Sequence, residues 1–413
     1  MERRVVITGL GTINPMGHNV GDFWKGIKNL ESGITRVSHF DPSDHSSQVA
    51  GEVKDFSAKD YMDGREARRM DPFAIFAVVA SGEALTDAGI KDGDVDPEKL
   101  GVVLGNGIGG LETMGNGFKK LFEKGTRAMH PLLGTMMITN IAAGNVAIKY
   151  NAQGPNYTVV TACASATDAI GQSYRLIKHD MVDTVITGGT EATITPLGIG
   201  AFCNLQAVSS HFNDAPEKAS RPFDKDRDGF IMSEGAGILI LEELEQARKR
   251  GAKIYAEVSG YGESCDANHL TQPHPEGRGA VAAMRKAIEH AGLKPEDIDY
   301  INAHGTSTPI NDPVETKAIK AVFGEHAKKL KISSTKSMHG HLLGGAGGVE
   351  AIVMALALNE QYYPGTRNLN NPDPECDLDY LANRGVEGPM RAAISNSFGF
   401  GGQNAVVLFM RYQ

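Results

Sequence analysis

The chain has 413 residues, 41% hydrophobic and 22% charged, with a net charge of −9 at pH 7. That composition is ordinary for a soluble globular protein. Its mixed charges, without a long basic block, argue against nucleic acid or an anionic membrane as the main partner, and leave room for an acidic protein docking on a local basic patch. The four cysteines, Cys163, Cys203, Cys265 and Cys376, lie far apart with no metal-ligand or redox spacing. With no secretion-signal pattern ahead of Val5-Val6-Ile7-Thr8, they point to reduced thiols in a cytoplasm.

Strand-like and helix-like segments alternate along the chain, the pattern of an α/β fold. After the first strand, Gly9-Leu10-Gly11-Thr12-Ile13-Asn14 imitates a dinucleotide fingerprint. Asn14 replaces the third glycine and Pro15 precedes any helix, so no nucleotide cofactor is expected. Further along, Tyr157 to Val160 reads as a buried strand, and Ala166, Ala169, Ile170, Ser173, Leu176 and Ile177 recur at helical spacing. Cys163 falls between them, where a strand turns into a helix. The positive end of a helix dipole stabilises an anion by up to ~2 kcal/mol. This predicts a thiol acidified to near pKa 7, a nucleophile that needs no protease-type base.

Asp224-Lys225-Asp226-Arg227-Asp228-Gly229 imitates the start of a calcium loop. The twelfth position is Gly235 where a bidentate Glu is needed, so the segment reads as a salt-bridged turn after Ser220-Arg221-Pro222-Phe223. Near residue 250 the chain begins to echo itself. Val5 to Gly11 resembles Ala256 to Gly262, and Ala84 to Lys91 resembles Ala287 to Lys294. The spacing implies two similar halves, 1–251 and 252–413, sharing one body. Ala351 to Leu358 is apolar but short, and reads as a buried helix rather than a membrane span.

Three strand-ending loops of the second half concentrate reactive residues and glycine: Asn302 to Pro309, Ser334 to His341, and Asn396 to Asn404. Alpha/beta folds place their chemistry on such loops. With Cys163, they carry four motifs: Thr161-Ala162-Cys163-Ala164-Ser165, His304-Gly305-Thr306-Ser307-Thr308, Lys336-Ser337-Met338-His339-Gly340-His341, and Asn396-Ser397-Phe398-Gly399-Phe400-Gly401-Gly402.

On these motifs the chain resembles, over essentially its whole length, the thiolase-fold condensing enzymes, and among them the 3-oxoacyl-[acyl carrier protein] synthases. The resemblance implies a duplicated five-layered αβαβα fold with two mixed sheets, and a homodimer. It implies that Cys163 accepts an acyl group from acyl carrier protein, with the N–H groups of Cys163 and Phe400 as oxyanion hole. His304 and His341 would steady the enolate left when malonyl-carrier loses carbon dioxide, and no cofactor is needed. Lys336 and Glu350 are expected to pair and hold the His341 loop. Thr306 and Thr308 match pantetheine contacts, Ile108 and Phe202 the acyl pocket, and Phe400, between Gly399 and Gly401, a gate. Asn302, Glu350, Ser395 and Asn396 match a structural monovalent-cation site of some relatives. Gln403 and His339 depart from the usual pattern, and His339 reads as structural.

A degradative thiolase would need a second cysteine near the C-terminus, and none follows Cys376. A non-catalytic chain-length partner would lack Cys163. A polyketide ketosynthase remains open, because its chemistry is the same.

Overall fold

The computed structural model describes residues 3–91 and 93–413. Ten strands form one mixed sheet: β1 (Val5–Ile13), β2 (Leu100–Gly105), β3 (Asn156–Val159), β4 (Thr184–Glu191), β5 (Gly235–Glu243), β6 (Ala256–Cys265), β7 (Tyr300–Asn302), β8 (Lys331–Ser333), β9 (Ala392–Gly399) and β10 (Gln403–Met410). From the centre outward, the first five run β1-β5-β4-β2-β3 and the second five β6-β10-β9-β7-β8. The order is the same in both, and so is every pairing sense: antiparallel, antiparallel, parallel, parallel. The two sheets expected from the sequence are joined edge to edge. Val5, Val6 and Ile7 pair with Val258, Glu257 and Ala256, which makes the sheet continuous.

Alternation along the strands divides the apolar residues between layers. On β5, Leu239 and Leu241 face a central core, while Ala236, Ile238 and Ile240 face an outer one. The outer core of the first half is covered by α1 (Pro72–Asp87), which Asp71 caps through its side chain and Pro72 opens. That of the second half is covered by α3 (Arg278–His290) and α4 (Asn311–Phe323). Between the two halves of the sheet lie α2 (Ser165–Lys178) and α5 (Ala346–Glu360), which touch strands of both. Such a central helix must be apolar all round. Alpha-5 is buried from Ala346 to Leu358, as expected of its run of small and aliphatic residues.

One strand differs from expectation. Beta-3, read as buried, is the last strand of its half, and Tyr157 and Val160 are 36% and 52% exposed. Its β-branched run satisfies strand propensity, but among the described residues no further strand covers its outer edge. The four cysteines are free thiols. Among the described residues no helix is long and apolar enough to cross a membrane.

Candidate active site

Loops that follow strands of both halves enclose a cavity of about 370 Å³. Cys163 enters from the loop after β3, His304 from the loop after β7, and Phe398 to Phe400 from the end of β9. His341 is placed by backbone pairing: its N–H donates to Ile231 O (2.7 Å), and its carbonyl accepts from Ser233 N (2.9 Å). The cavity therefore brings together Cys163, His304 and His341, together with Ile108, Phe202, Thr306, Thr308, Gly399 and Phe400. Gly401, Lys336 and Glu350 lie outside its lining.

Cys163 sits in a single tight turn, Ala162–Ala164, directly before α2. Ala162 takes a left-handed conformation (φ 50°), and Ser165 Oγ closes the turn by accepting from Thr161 N and donating to Ala162 O. Strain of this kind persists only where the surroundings fix it. The chain then passes so near Gly399 that a Cβ there would lie 2.8 Å from Thr161 O and 3.1 Å from Cys163 N. Only glycine fits. Gly401 is constrained differently, by a φ of 83°, whereas Gly399 itself is extended.

The acidified thiol expected from the sequence is not found. Burial pushes the Cys163 thiol up to about 11. The positive charge of Lys336 and the backbone N–H groups of Phe400 and Cys163 pull the other way, and desolvation outweighs them. The cysteine is also one turn ahead of α2, and the dipole's influence fades quickly beyond the helix end. The resting group is a neutral thiol, whose proton must leave as it attacks.

The two imidazoles are neutral. Burial, Lys336 and mutual proximity hold His304 well below the usual histidine range, and burial, Lys336 and His339 do the same for His341. Their rings meet edge to face with centroids 5.4 Å apart. Phe230 stands 5.4 Å from His341 and Phe398 5.7 Å from His304. Among the described residues no group bonds His304 Nδ1 or either ring nitrogen of His341. A neutral imidazole can present an N–H to an oxygen on which charge develops. Lys336 Nζ bonds Glu350 Oε1, the pairing expected from the sequence, and burial raises the Glu350 carboxyl to about 7 against the pull of Lys336.

His339 is fully buried outside the cavity, bonded to Thr335 Oγ1 at 3.0 Å. Phe202 lies 6.4 Å from Phe400 and 5.6 Å from Phe230 between ring centroids, forming an apolar wall with Ile108. The hydroxyls of Thr306 and Thr308 are 3.3 Å apart at the cavity wall. Gln403, half-buried, pairs with Gly399 across the β9–β10 turn. The four candidate cation residues fit an oxygen site. Glu350 Oε2, Ser395 Oγ, Asn396 Oδ1 and the Asn302 amide nitrogen are all buried without a protein partner, and Asn302 and Ser395 are neighbours in the sheet. Turning the Asn302 amide would add a fourth oxygen.

Two acids were not singled out in the sequence. Glu315, on α4, accepts from His304 N (2.9 Å), Gly305 N (2.8 Å) and Asn396 Nδ2 (3.0 Å), and so fixes the His304 loop. Glu191, ending β4, accepts from Gly107 N (2.9 Å) and Gly344 N (3.0 Å), tying the Ile108 wall to the second half. A carboxylate closing an apolar strand after Gly188-Gly189 was the available signal for Glu191. None marked Glu315.

A buried thiol and two uncharged imidazoles opening on a greasy slot describe a class: cysteine-based acyl-transfer enzymes built on a duplicated α/β body. Residues 2–247 match the beta-ketoacyl synthase N-terminal domain, and residues 255–370 its C-terminal domain. The chain therefore belongs to the beta-ketoacyl synthase family. It is 50% identical to "3-oxoacyl-[acyl-carrier-protein] synthase 2" of Synechocystis over 100% of this chain and 99% of that one, and 46% identical to the protein of the same name from Coxiella burnetii over 99% of each. Among solved structures, a beta-ketoacyl synthase from Burkholderia phymatum superposes with a TM-score of 0.93 at 33% identity, covering all of both chains. A type II polyketide ketosynthase, in complex with its acyl-carrier protein and bound to a hexaketide, gives 0.92 at 35% identity with the same coverage.

Proposed function

We propose that this chain catalyses the decarboxylative Claisen condensation of fatty acid chain elongation, joining an acyl group held on Cys163 to malonyl-acyl carrier protein. The observation that carries this is the shared cavity: one thiol and two neutral imidazoles against an apolar wall. In the first half-reaction, Cys163 Sγ attacks the acyl thioester carbonyl, the thiol proton leaves, and the carrier's thiol departs. The N–H groups of Cys163 and Phe400 are aimed at the reacting centre, where they stabilise the developing oxyanion. In the second, malonyl-carrier loses carbon dioxide. His304 and His341 hydrogen-bond the enolate oxygen, and its carbon attacks the acyl-cysteine. The carbon–sulfur bond to Cys163 breaks, and 3-oxoacyl-carrier leaves two carbons longer.

Burial, aided by the positive charge of Lys336, keeps both imidazoles uncharged. Thr306 and Thr308 take the pantetheine arm, and Phe400, beside Gly401, swings between acyl and malonyl steps. Identity of 46–50% to relatives named 3-oxoacyl-[acyl-carrier-protein] synthase 2, against 35% to the polyketide enzyme, favours fatty acid over polyketide assembly. Mass spectrometry after incubation with acyl-carrier should show one acyl group on the Cys163 peptide. An unmodified peptide would overturn the reading.

The halves 1–251 and 252–413 act as nucleophile and histidine donors. Asn302, Glu350, Ser395 and Asn396 suit a monovalent cation bracing these loops, and anomalous scattering from a rubidium soak would locate or exclude it. A homodimer is supported by the uncovered edge of β3 and by exposed Phe122 and Ile148, 83% and 81% accessible. Sedimentation at the mass of one chain would refute it. For Ile108→Phe, added volume in the apolar wall should shorten the accepted acyl chain by several carbons. An unchanged chain-length profile would remove Ile108 from that wall.

A further inference from the structure

The segment that imitates a calcium loop has another use. Asp224 has its oxygens filled from within the protein: Oδ1 accepts from Arg221 Nε and Asp226 N, both at 2.9 Å, and Oδ2 from Asn370 N (2.8 Å) and Asn371 N (2.7 Å). No room remains for a metal. The charges instead anchor a rigid strap, reinforced by Phe223 stacked 3.7 Å from Tyr380.

The strap grips the turn that carries the two threonines at the cavity. Arg221 N donates to Ser307 Oγ (3.0 Å) and Gly229 N to Ser307 O (3.1 Å). The buried Arg227 guanidinium reaches further: Nε donates to Thr308 O (2.9 Å) and Nη2 to Pro309 O (3.2 Å). Its Nη1 holds Asp224 O (2.8 Å) and Asp373 (2.6 Å), with Asp312 3.7 Å from Nε. A planar fork holds two successive carbonyls in a fixed geometry, whereas an ammonium is a compact point charge on a flexible stem. Ser307 is held at φ 70°, unfavourable for serine, as expected of a turn fixed from outside. Arg227 itself does not line the cavity.

We propose that Arg227, within the Arg221–Gly229 strap, is a positioning residue that sets the Thr306 and Thr308 hydroxyls for the amide groups of a pantetheine arm. This rests on the reading that those threonines meet pantetheine. It adds a specificity device some distance from the reacting atoms. A turn held at three successive carbonyls keeps its hydroxyls in place before substrate arrives, so less ordering entropy is lost on binding.

The test compares acylation of Cys163 by an acyl-pantetheine thioester with acylation by a p-nitrophenyl acyl ester, which has no amides to recognise. Arg227→Lys keeps the charge beside Asp312 and Asp373 but loses the fork. It should lower kcat/KM for the pantetheine thioester about tenfold, mainly through KM, the scale of one or two lost hydrogen bonds. The nitrophenyl ester should change by less than about twofold. Ser307→Gly suits the backbone angle and removes only the Oγ tie, so it folds where the lysine variant fails. It should lower the pantetheine preference about threefold. Equal losses for both substrates, or none, would reduce the strap to structure alone. A wild-type enzyme with no preference for the pantetheine thioester would instead overturn the assignment of the threonines.

Discussion

Replacing Cys163 with alanine should abolish chain extension while malonyl-carrier decarboxylation continues. Condensation needs a covalent acyl-enzyme, and among the described residues no second thiol lines the cavity: the other three cysteines lie outside its walls. Losing a nucleophile of this kind costs about 10⁴-fold or more in turnover. Decarboxylation draws on different atoms. The imidazoles of His304 and His341 remain, and the space left by one sulfur does not reach Glu315, which fixes the His304 loop. Release of labelled carbon dioxide, set beside formation of 3-oxoacyl product, separates the two reactions. Near-normal condensation by the variant would eliminate Cys163 as nucleophile.

The reverse pattern is expected of His304→Ala and His341→Ala. Each removes one donor to the enolate oxygen. Removing one such preorganised donor costs about 10²–10³-fold. Acylation should be partly retained, because the N–H groups aimed at Sγ belong to the backbone of Cys163 and Phe400. It should also weaken somewhat, since a thiol raised to about 11 needs a proton acceptor and the neutral imidazoles share its cavity. Both imidazoles are held far below the ordinary histidine value, so activity between pH 6 and 8 should show no inflection from either ring. A bell-shaped profile lost in His341→Ala would contradict that.

The reactive residues were legible in the sequence because each carries its own local signal. Cys163 interrupts a strand-to-helix transition, and His304 and His341 sit among glycines after strand-like runs. The layered fold was legible through alternation on strands such as β5 and the unbroken apolar run of α5. What failed depended on distant neighbours. The acidity of Cys163 was read from its helix, but burial by both halves decides it. Tyr157 to Val160 looked buried because composition reports propensity, not whether another strand lies alongside. Two sheets proved continuous through three residue pairs that no pattern announces. Glu315 carried no local signal and Arg227 read only as part of a salt-bridged turn, since the loops they hold lie about ten and eighty residues away.

Backbone pairing of His341 with Ile231 and Ser233 fastens a residue of one repeat to the other. The reaction centre is thus a seam, to which neither repeat brings a full set of reagents. A single repeat would need a second one beside it to assemble anything comparable. In this polypeptide one repeat supplies the sulfur and the other the rings.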